Sequence, residues 1–261
     1  MRLALAQITT GLDPDRNLAT VRDQARRAAD AGARLVVFPE STMARFGAPL
    51  AEVAEPLDGP WAGAVRGIAE ETGTVVVVGM FTPAPGGRVA NTLLATGPGL
   101  DASYDKIHLY DAFGCTESEH VAPGSEVVTI DVDGVRIGLA TCYDVRFPEL
   151  FRAHADAGAA LSLLPASWGP GPGKVEQWQL LLRARALDAT LWLAAADQAA
   201  PAPSEPETTA PVGVGHSALV GPDGTVRDAL GPEPGLLVAD VDVDEVEAVR
   251  RKVSVLANRR L

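Results

Sequence analysis

Short apolar stretches separated by helical ones constrain the fold of this chain most. Residues 34–38 (RLVVF), after the initial arginine, and 75–81 (VVVVGMF) are continuously apolar and do not alternate with polar residues. Strands of this kind are covered by other elements on both faces. Residues 17–32 and 60–73 have the pattern of helices that close on a glycine. The chain is therefore predicted to be an α/β protein with buried strands.

Hairpins interrupt this alternation. Asp133–Gly134 lies between the predicted strands 126–131 and 135–141, and this dipeptide is a strong signal for a hairpin turn. Residues 89–96 are predicted to pair back on the strand 75–81. The prediction is therefore one mixed sheet or a pair of mixed sheets, because hairpins make neighbouring strands antiparallel.

Length and charge exclude several classes of protein. A chain of 261 residues suits one large domain, which we expect to span 1–261 and to end in a tail at 253–261. The net charge of −12, without a large basic cluster, argues against nucleic acid as a partner. No apolar run approaches the ~18 residues of a membrane span, and the apolar N-terminus is too short for a signal peptide. We expect a cytoplasmic protein without a membrane partner.

Metal and nucleotide sites have little support. Two cysteines form neither a disulfide framework nor a zinc set, although a pairing of Cys115 with Cys142 stays open. The four histidines lack the spacing of metal ligands. The segment 169–174 (GPGPGK) lacks P-loop spacing, and no G-x-G-x-x-G motif follows a strand.

Cys142 lies where a predicted strand gives way to a predicted helix. The stretch 135–150 reads VRIGLATCYDVRFPEL, and the helix begins at Pro148 and closes at Gly158. A thiol at such a junction is held by rigid elements and projects from the sheet edge, where it can act as a nucleophile. The alternative is a buried structural cysteine, since free cysteine is among the most buried residue types.

Two more polar residues lie where strands end. Glu40 ends the run RLVVFPE, and Lys106 lies in SYDKIHLYD. If these strands are neighbours of the Cys142 strand, a carboxylate, an ammonium and a thiol meet, as acyl transfer requires. The alternatives are a solvated glutamate and a surface lysine. A Cys–His pair also stays open, because His108 and His120 flank one polar loop that could approach the thiol.

Three blocks of sequence resemble the signature blocks of the nitrilase superfamily of carbon–nitrogen hydrolases. They are FPE at 38–40, DKIHLYD at 105–111 and CYDVRFPEL at 142–150, in the family's order and spacing. RARALD at 183–188, GHSALVGPDG at 215–224 and LANRR at 256–260 extend the resemblance over essentially the whole chain. The closest similarity is to the Nit branch of amidases, since CYD in place of CWE favours an amidase over a nitrilase.

The resemblance implies a fold and a set of roles. The fold is an αββα sandwich of two mixed β-sheets with helices on the outer faces. Glu40 is implied as general base and acid, Lys106 as oxyanion stabiliser and Cys142 as nucleophile. Glu117 is implied as a fourth residue that orients the substrate or Lys106, and Glu119 is the nearby alternative. No metal or organic cofactor is implied.

Candidate substrate contacts follow from the same blocks. The N–H of Tyr143 is expected to share the oxyanion with Lys106, whereas the Tyr143 ring is expected to pack. Trp168 either lines the pocket or covers its loop. Arg146 either contacts substrate or belongs to a salt-bridge network with Glu149 and Arg185.

The chain departs from Nit amidases in one segment. These amidases carry a Thr-Gly segment and a His-Trp pair where this chain has WGPGPGKVEQW at 168–178. We expect this segment to form one pocket wall, so the family's ω-amide and deaminated glutathione substrates do not transfer directly. Lys174 either binds a substrate carboxylate or is solvated. Asp197–Gln198 replaces a more usual neutral pair and also bears on the pocket.

The function indicated is hydrolysis of a small linear carboxamide to carboxylate and ammonia through a Cys142 thioester. The alternatives are an N-carbamoyl amide hydrolase and a catalytically weak oligomeric binding protein. The resemblance implies a homodimer or larger homo-oligomer paired across the helix that follows the nucleophile, with the tail at 253–261 as a candidate part of the interface. The Pro- and Ala-rich segment 199–211 is expected to be a mobile surface loop.

Overall fold

The computed structural model describes residues 1–201 and 210–260, which form four layers: helices, sheet, sheet, helices. The helices are α1 Pro14–Asp30, α2 Leu50–Val53, α3 Pro60–Thr72, α4 Pro148–Asp156, α5 Lys174–Ala189 and α6 Asp244–Lys252. The strands are β1 Arg2–Gln7, β2 Leu35–Val37, β3 Val75–Pro83, β4 Val89–Gly97, β5 Leu100–Asp105, β6 Val121–Ala122, β7 Thr129–Val132, β8 Val135–Leu139, β9 Leu161–Ala166, β10 Trp192–Asp197, β11 Ala218–Val220, β12 Val226–Ala229 and β13 Gly235–Asp240.

Both sheets have a parallel centre and antiparallel flanks. The first has the order β13-β1-β2-β3-β4-β5, with β6 paired to β4, and β1, β2 and β3 are parallel. The second has the order β12-β11-β10-β9-β8-β7, and β8, β9 and β10 are parallel. The β7–β8 hairpin turns at Asp133 and Gly134, whose φ angles of 49° and 80° are those a tight primed turn needs. The predicted hairpins and mixed sheets are confirmed.

Successive residues of the central strands pack into different layers. In β3, Val75 and Val77 join the core between the sheets, whereas Val76 and Val78 pack under α1 and α3. In β9, Leu161 and Leu163 face the other sheet, while Leu164 packs under α4 and α5. Side chains alternate across a strand, so a strand covered on both faces must be apolar throughout. This burial explains the continuous apolar runs and confirms the αββα sandwich.

Some elements differ from the sequence-based expectation. The short helix α2, strand β6 and a 3₁₀ turn at Glu117–Glu119 have too few residues to show a hydrophobic period. In the Pro- and Ala-rich segment expected to be a mobile surface loop, 202–209 lie outside the described residues. Ala199, at its start, is buried, and its N–H donates to the Ile8 carbonyl (2.8 Å).

The described part of the C-terminal tail lies on its own chain. Arg259 Nη1 donates to Asp156 Oδ2 of α4 (2.9 Å), and Leu256 packs against the core beneath α4 and α5. A role for the tail in an oligomer interface remains a prediction. Within 1–201 and 210–260, no helix has the length and hydropathy to cross a bilayer.

Candidate active site

The three strand-end residues meet at one edge of the sandwich. Glu40 follows β2, Lys106 directly follows β5, and Cys142 opens a 3₁₀ turn after β8. β2 belongs to the parallel centre of the first sheet and β8 to that of the second, and Glu40 and Cys142, which follow them, line the same cavity. Ligand sites of α/β proteins form at such edges because several chain segments converge there.

A buried ammonium lies between two carboxylates. Lys106 Nζ is 2.9 Å from Glu40 Oε1 and 2.8 Å from Glu117 Oε2. Lys106 is only 2% exposed, Glu40 is fully buried and Glu117 is 8% exposed. Charges buried this deeply are retained only when they are paired and hydrogen-bonded. The surface-lysine and solvated-glutamate alternatives are therefore wrong.

Cys142 has an unusual backbone conformation. Its φ angle of 46° lies in the left-handed region, which costs free energy for a residue with a side chain. Asp144 holds the turn, since its Oδ2 accepts the N–H of Thr141 (2.8 Å) and the hydroxyl of Tyr104 (2.6 Å). The Cys142 Sγ lies 3.8 Å from the Ser167 carbonyl oxygen. The strained turn therefore presents the thiol to the cavity that Glu40 and Lys106 line.

Burial governs the charges of these groups. Burial raises the pKa of Glu40, which the nearby Lys106 charge partly offsets, and the Glu117 charge raises it further. Burial opposes the Lys106 ammonium, yet the Glu117 and Glu40 charges hold its pKa well above the ordinary value. Burial, with the charge of Glu40, raises the pKa of Cys142 well above the usual range. The resting sulfur is therefore a thiol and needs a base to react.

Two hydrogen-bond donors at the site, the Asn91 side chain and the Ser167 N–H, were not expected from the sequence. Asn91 Nδ2 donates to Glu40 Oε1 (2.7 Å) and to Glu117 Oε1 (3.2 Å). The backbone N–H of Ser167 donates to Glu40 Oε2 (2.9 Å). A lone Asn in the apolar strand β4 was a signal that could have been used. Ser167 has no such signal, because the donor is a main-chain group that every residue except proline carries.

The structure distinguishes between the two candidate glutamates. Glu117 Oε2 accepts the N–H of Tyr110 (2.6 Å) as well as the Lys106 bond, so its carboxylate is anchored inside the site. Glu119 is exposed at the mouth of the cavity. Glu117, and not Glu119, is therefore the carboxylate that contacts Lys106.

The Cys–His alternative is not formed. His108 Nδ1 is bonded to Asp144 Oδ1 (2.7 Å), and its ring stacks on Phe147 at 3.7 Å between centroids. His120 is exposed, and both cysteines are free, so the open Cys115–Cys142 pairing is absent. Over the described ranges, no group of three or more His, Cys, Asp or Glu side chains is arranged to hold a metal ion.

The candidate substrate contacts line a cavity of about 1580 Å³ bounded by described residues. The Arg146 guanidinium lies 5.2 Å from the Trp168 ring centroid and 5.7 Å from that of Tyr143, and its Nη2 donates to Gln177 Oε1 (2.9 Å). The Tyr143 ring packs edge-on against Tyr110 at 5.1 Å. Tyr143, Arg146 and Trp168 thus line one cavity, and the buried Trp168 indole also donates to the Lys174 carbonyl (3.0 Å), at the far end of its own loop.

The alternative salt-bridge network of Arg146 is not present. Arg185 Nη1 bonds instead to Asp188 Oδ2 (2.6 Å), and its Nε donates to the Val145 carbonyl (2.8 Å). Among the described residues, no ion pair within 4.0 Å joins Arg146 to Glu149. The Arg146 guanidinium therefore lines the cavity without an ion pair to Glu149.

Lys174 is not solvated. It is 8% exposed, and its Nζ lies 3.4 Å from the Phe113 ring centroid and 3.4 Å from the Tyr110 hydroxyl. Burial, aided by the charge of Arg146, lowers the pKa of Lys174. The predicted pocket wall at 168–178 does line the cavity, and it brings a second cation to it.

Comparison with known proteins gives the family. Residues 2–251 match the family described as Carbon-nitrogen hydrolase. A hydrolase of Mycobacterium tuberculosis is 57% identical, covering 99% of this chain and 95% of that protein. The deaminated glutathione amidase of Escherichia coli is 37% identical, covering 90% of this chain and 87% of its own.

A solved structure agrees in fold and class. The amidase from Nesterenkonia sp. AN1 has a TM-score of 0.83 and 32% sequence identity, covering 100% of this chain and 96% of that one. One double mutant of that amidase is in complex with acrylamide, and a single mutant shows covalent addition of the acetamide moiety of fluoroacetamide at the active site cysteine.

Fold and comparisons together define a hydrolase with an α/β sandwich. The chain belongs to the carbon-nitrogen hydrolase family of the nitrilase superfamily. It is an enzyme that acts on non-peptide carbon–nitrogen bonds, and amides are the substrates its amidase relatives support.

Proposed function

We propose that the protein hydrolyses a small linear carboxamide to a carboxylate and ammonia through a thioester on Cys142. The observation that carries this proposal is the buried ammonium of Lys106, bound by Glu40 and Glu117 in the cavity that holds the thiol. These groups are the base, the cation and the nucleophile of acyl transfer. The covalent adduct at the cysteine of the Nesterenkonia amidase supports the same role for Cys142.

The first half-reaction forms the thioester. Glu40 accepts the thiol proton as Cys142 Sγ bonds to the amide carbon, which is needed because burial raises the pKa of this thiol. The oxyanion lies between the Lys106 ammonium and the N–H of Tyr143. Loss of one such donor costs on the order of 100- to 1,000-fold in rate. Glu40 returns the proton to nitrogen as the carbon–nitrogen bond breaks, and ammonia leaves.

The second half-reaction releases the acid. Glu40 removes a proton from water as the water oxygen bonds to the thioester carbon. The carbon–sulfur bond then breaks, and the proton returns to Cys142 Sγ. Acid–base assistance of this kind contributes roughly 100- to 10,000-fold. Asn91 and the Ser167 N–H keep the Glu40 carboxylate in one orientation through both steps.

The charges of the cavity indicate what the acyl group carries. Arg146 and Lys174 line the same wall, and neither has a carboxylate partner within 4.0 Å in the described part of the chain. A buried lysine and a half-buried arginine without a neighbouring anion favour a ligand that supplies one. We therefore place a carboxylate at the far end of the amide, a feature consistent with the name of the Escherichia coli relative.

The first experiment measures ammonia release from a panel of amides. Cys142→Ala is expected to stay folded and to release no ammonia, whereas Cys115→Ala, the matched control, keeps wild-type activity. Ammonia release by Cys142→Ala would contradict the thioester route. Carbon dioxide is measured in parallel, because an N-carbamoyl amide hydrolase would release it together with ammonia.

Thiol alkylation tests the weak-binding alternative. Glu40 and Lys106 are expected to make Cys142 react with a haloacetamide faster than Cys115 does. A Cys142 that alkylates no faster than Cys115 at every pH from neutral upward would favour the binding protein.

The second experiment compares amides with and without a far carboxylate. Lys174→Met is expected to raise KM by about 10-fold for a monoamide of a dicarboxylic acid, since one charge-assisted hydrogen bond contributes about 1.5–3 kcal/mol. The KM for the neutral amide of equal length stays unchanged. Lys252→Met removes the exposed lysine at the end of α6 and serves as the control. Equal effects of Lys174→Met on both amides would contradict a carboxylate subsite.

A further inference from the structure

Asp197 is a fully buried carboxylate that the proposed chemistry does not use. It is the last residue of β10, and its two oxygens accept main-chain N–H groups: Oδ1 from Trp168 (2.8 Å) and Oδ2 from Val214 (2.8 Å). Among described residues, no cation lies within 4.0 Å of it. A buried carboxylate without a cation is costly, so these two hydrogen bonds are what hold it.

The Trp168 N–H belongs to a segment that lines the active-site cavity, and the Val214 N–H lies two residues beyond the lining residues 210–212. Trp168 directly follows Ser167, whose N–H donates to Glu40 Oε2 (2.9 Å) and whose carbonyl lies 3.8 Å from Cys142 Sγ. The 213–215 segment is tied to the same loop, because the Gly213 N–H donates to the Trp168 carbonyl (3.1 Å). The orientation of the Ser167–Trp168 peptide therefore depends on Asp197.

Gln198, the next residue, acts on the other side of Glu40. Its Nε2 donates to the Glu40 main-chain carbonyl (3.0 Å), and its N–H donates to the Ala166 carbonyl (3.1 Å). Gln198 thus holds the Glu40 backbone and the Ala166–Ser167 peptide, which supplies an N–H donor to the Glu40 side chain, while Asp197 holds the next peptide along the chain. These contacts link positions far apart in sequence, and a small displacement of a catalytic group can cost a large factor in rate.

We propose that Asp197 and Gln198 are positioning residues for the amidase reaction, which fix the two peptides on either side of Ser167 and the Glu40 backbone so that the Glu40 carboxylate faces the Cys142 thiol. The proposal rests on the proposed function of Glu40. The proposed substrate contacts lie on Tyr143, Arg146, Trp168 and Lys174, and of these only Trp168 contacts the pair directly. Loss of the pair is therefore expected to lower kcat more than it changes KM.

Asp197→Asn is the first variant, because an amide oxygen can accept only one of the two N–H groups. It is expected to lower kcat by about 10-fold with KM changed less than about 3-fold, and Asp197→Ala by about 100-fold. Gln198→Met keeps the side-chain length and removes the donor to the Glu40 carbonyl, and it is also expected to lower kcat. Ser162→Ala is the control: it removes a buried hydrogen bond to His154 (2.9 Å) outside the site.

Thiol alkylation supplies a readout that substrate binding does not affect. A haloacetamide is expected to alkylate Cys142 more slowly in Asp197→Asn and Gln198→Met than in wild type, in proportion to kcat, and at the wild-type rate in Ser162→Ala. Thermal unfolding is measured for each variant, so that activity is expressed per folded molecule. If Asp197→Asn does not fold, Gln198→Met decides the matter.

Two results would overturn the proposal. One is retention of kcat and alkylation rate within twofold by both variants. The other is a fall in kcat and alkylation rate that Ser162→Ala shows to the same extent when it lowers the melting temperature by the same amount. Wild-type protein is assayed alongside: absence of ammonia release from wild type refutes the proposed function, whereas an active wild type with unaffected variants refutes only the positioning role.

Discussion

Glu40 depends on residues that approach it from many places in the chain. Its carboxylate accepts hydrogen bonds from Lys106, Asn91 and the Ser167 N–H. With these donors each oxygen is engaged, so the side chain loses little further freedom on reaction. A carboxylate held in this way is ready to exchange a proton with the thiol.

Loss of the Glu117 carboxylate is expected to lower the amidase activity, whereas loss of the Glu119 carboxylate is not. Glu117 Oε2 accepts hydrogen bonds from both Lys106 and the Tyr110 N–H. Glu117→Gln removes the negative charge and turns one of the two oxygens into an NH₂ donor, so the Lys106 ammonium is held less firmly. We expect kcat/KM to fall by about 100-fold, as for the loss of one preorganised electrostatic contact. Steady-state ammonia release measures it.

Glu119→Gln is the matched control, since the same change is made on the same 3₁₀ turn at an exposed side chain. Equal losses in both variants would show that the turn, and not the Glu117 carboxylate, is what matters.

Helix α4 packs on strand β8 at a point without room for a side chain. A Cβ on Gly138 would lie 2.2 Å from Cγ of His154, which is fully buried and bonded to Ser162 Oγ (2.9 Å). Helix α4 begins just after the Cys142 turn, and its distance from β8 at this point is possible only because residue 138 has no side chain.

Two glycine substitutions are expected to have opposite signs. Gly138→Ala should destabilise the protein by about 1–3 kcal/mol through overpacking against His154. Gly63→Ala, in the exposed face of α3 with no atom within 4 Å of the new Cβ, should stabilise by about 0.5–1 kcal/mol. Urea unfolding measures both, and destabilisation by both would contradict the packing explanation.

At the scale of the whole molecule, two buried groups, Asp197 and His154, make the free energy of unfolding depend on pH in opposite directions. Burial raises the pKa of Asp197 from 3.8 to about 7, and burial lowers the pKa of His154 from 6.5 to about 4. Between about pH 4 and 6.5 the folded state binds the Asp197 proton that the unfolded state has lost, so this group lowers stability as pH rises. In the same window the unfolded state binds the His154 proton, so His154 raises stability with pH.

Two single variants are expected to separate the contributions of Asp197 and His154 to the pH dependence of the free energy of unfolding. The free energy of unfolding of His154→Gln, relative to wild type, should fall as pH rises from 4 to 6.5, whereas that of Asp197→Asn should rise. Urea unfolding at several pH values in this window gives the slopes. Parallel curves for wild type and both variants would show that neither group titrates between folded and unfolded states.

The outer face of the second sheet carries exposed apolar residues that bear on assembly. Leu180 is 66% exposed and Leu187 44% exposed on α5, beside α4. We expect a homodimer paired across this face, and Leu180→Glu should shift it to monomer in light scattering after gel filtration. Leu12→Glu, which changes an exposed leucine at the α1 side, is the control. A wild-type monomer would contradict the expectation.

Local patterns predicted the fold class and singled out the central residues of the site, whereas the αββα sandwich and the roles of those residues came from the resemblance to the nitrilase superfamily. Continuous apolar strands required cover on both faces, and Asp133–Gly134 required a hairpin, so a layered mixed-sheet fold followed. Glu40, Lys106 and Cys142 broke the apolar pattern at strand ends, where a sheet edge collects functional groups. These features are visible because each depends on a residue and its immediate neighbours.

Only the tertiary structure decided how these residues are held and what lies opposite them. The Ser167 N–H reaches Glu40 from 127 positions away, and main-chain donors carry no residue-type signal. Lys174 follows a Gly- and Pro-rich loop typical of solvated chain, yet the aromatic rings of the 110–113 segment cover it. Burial and long-range hydrogen bonding are set by how distant segments pack, and a single linear pattern does not contain that information.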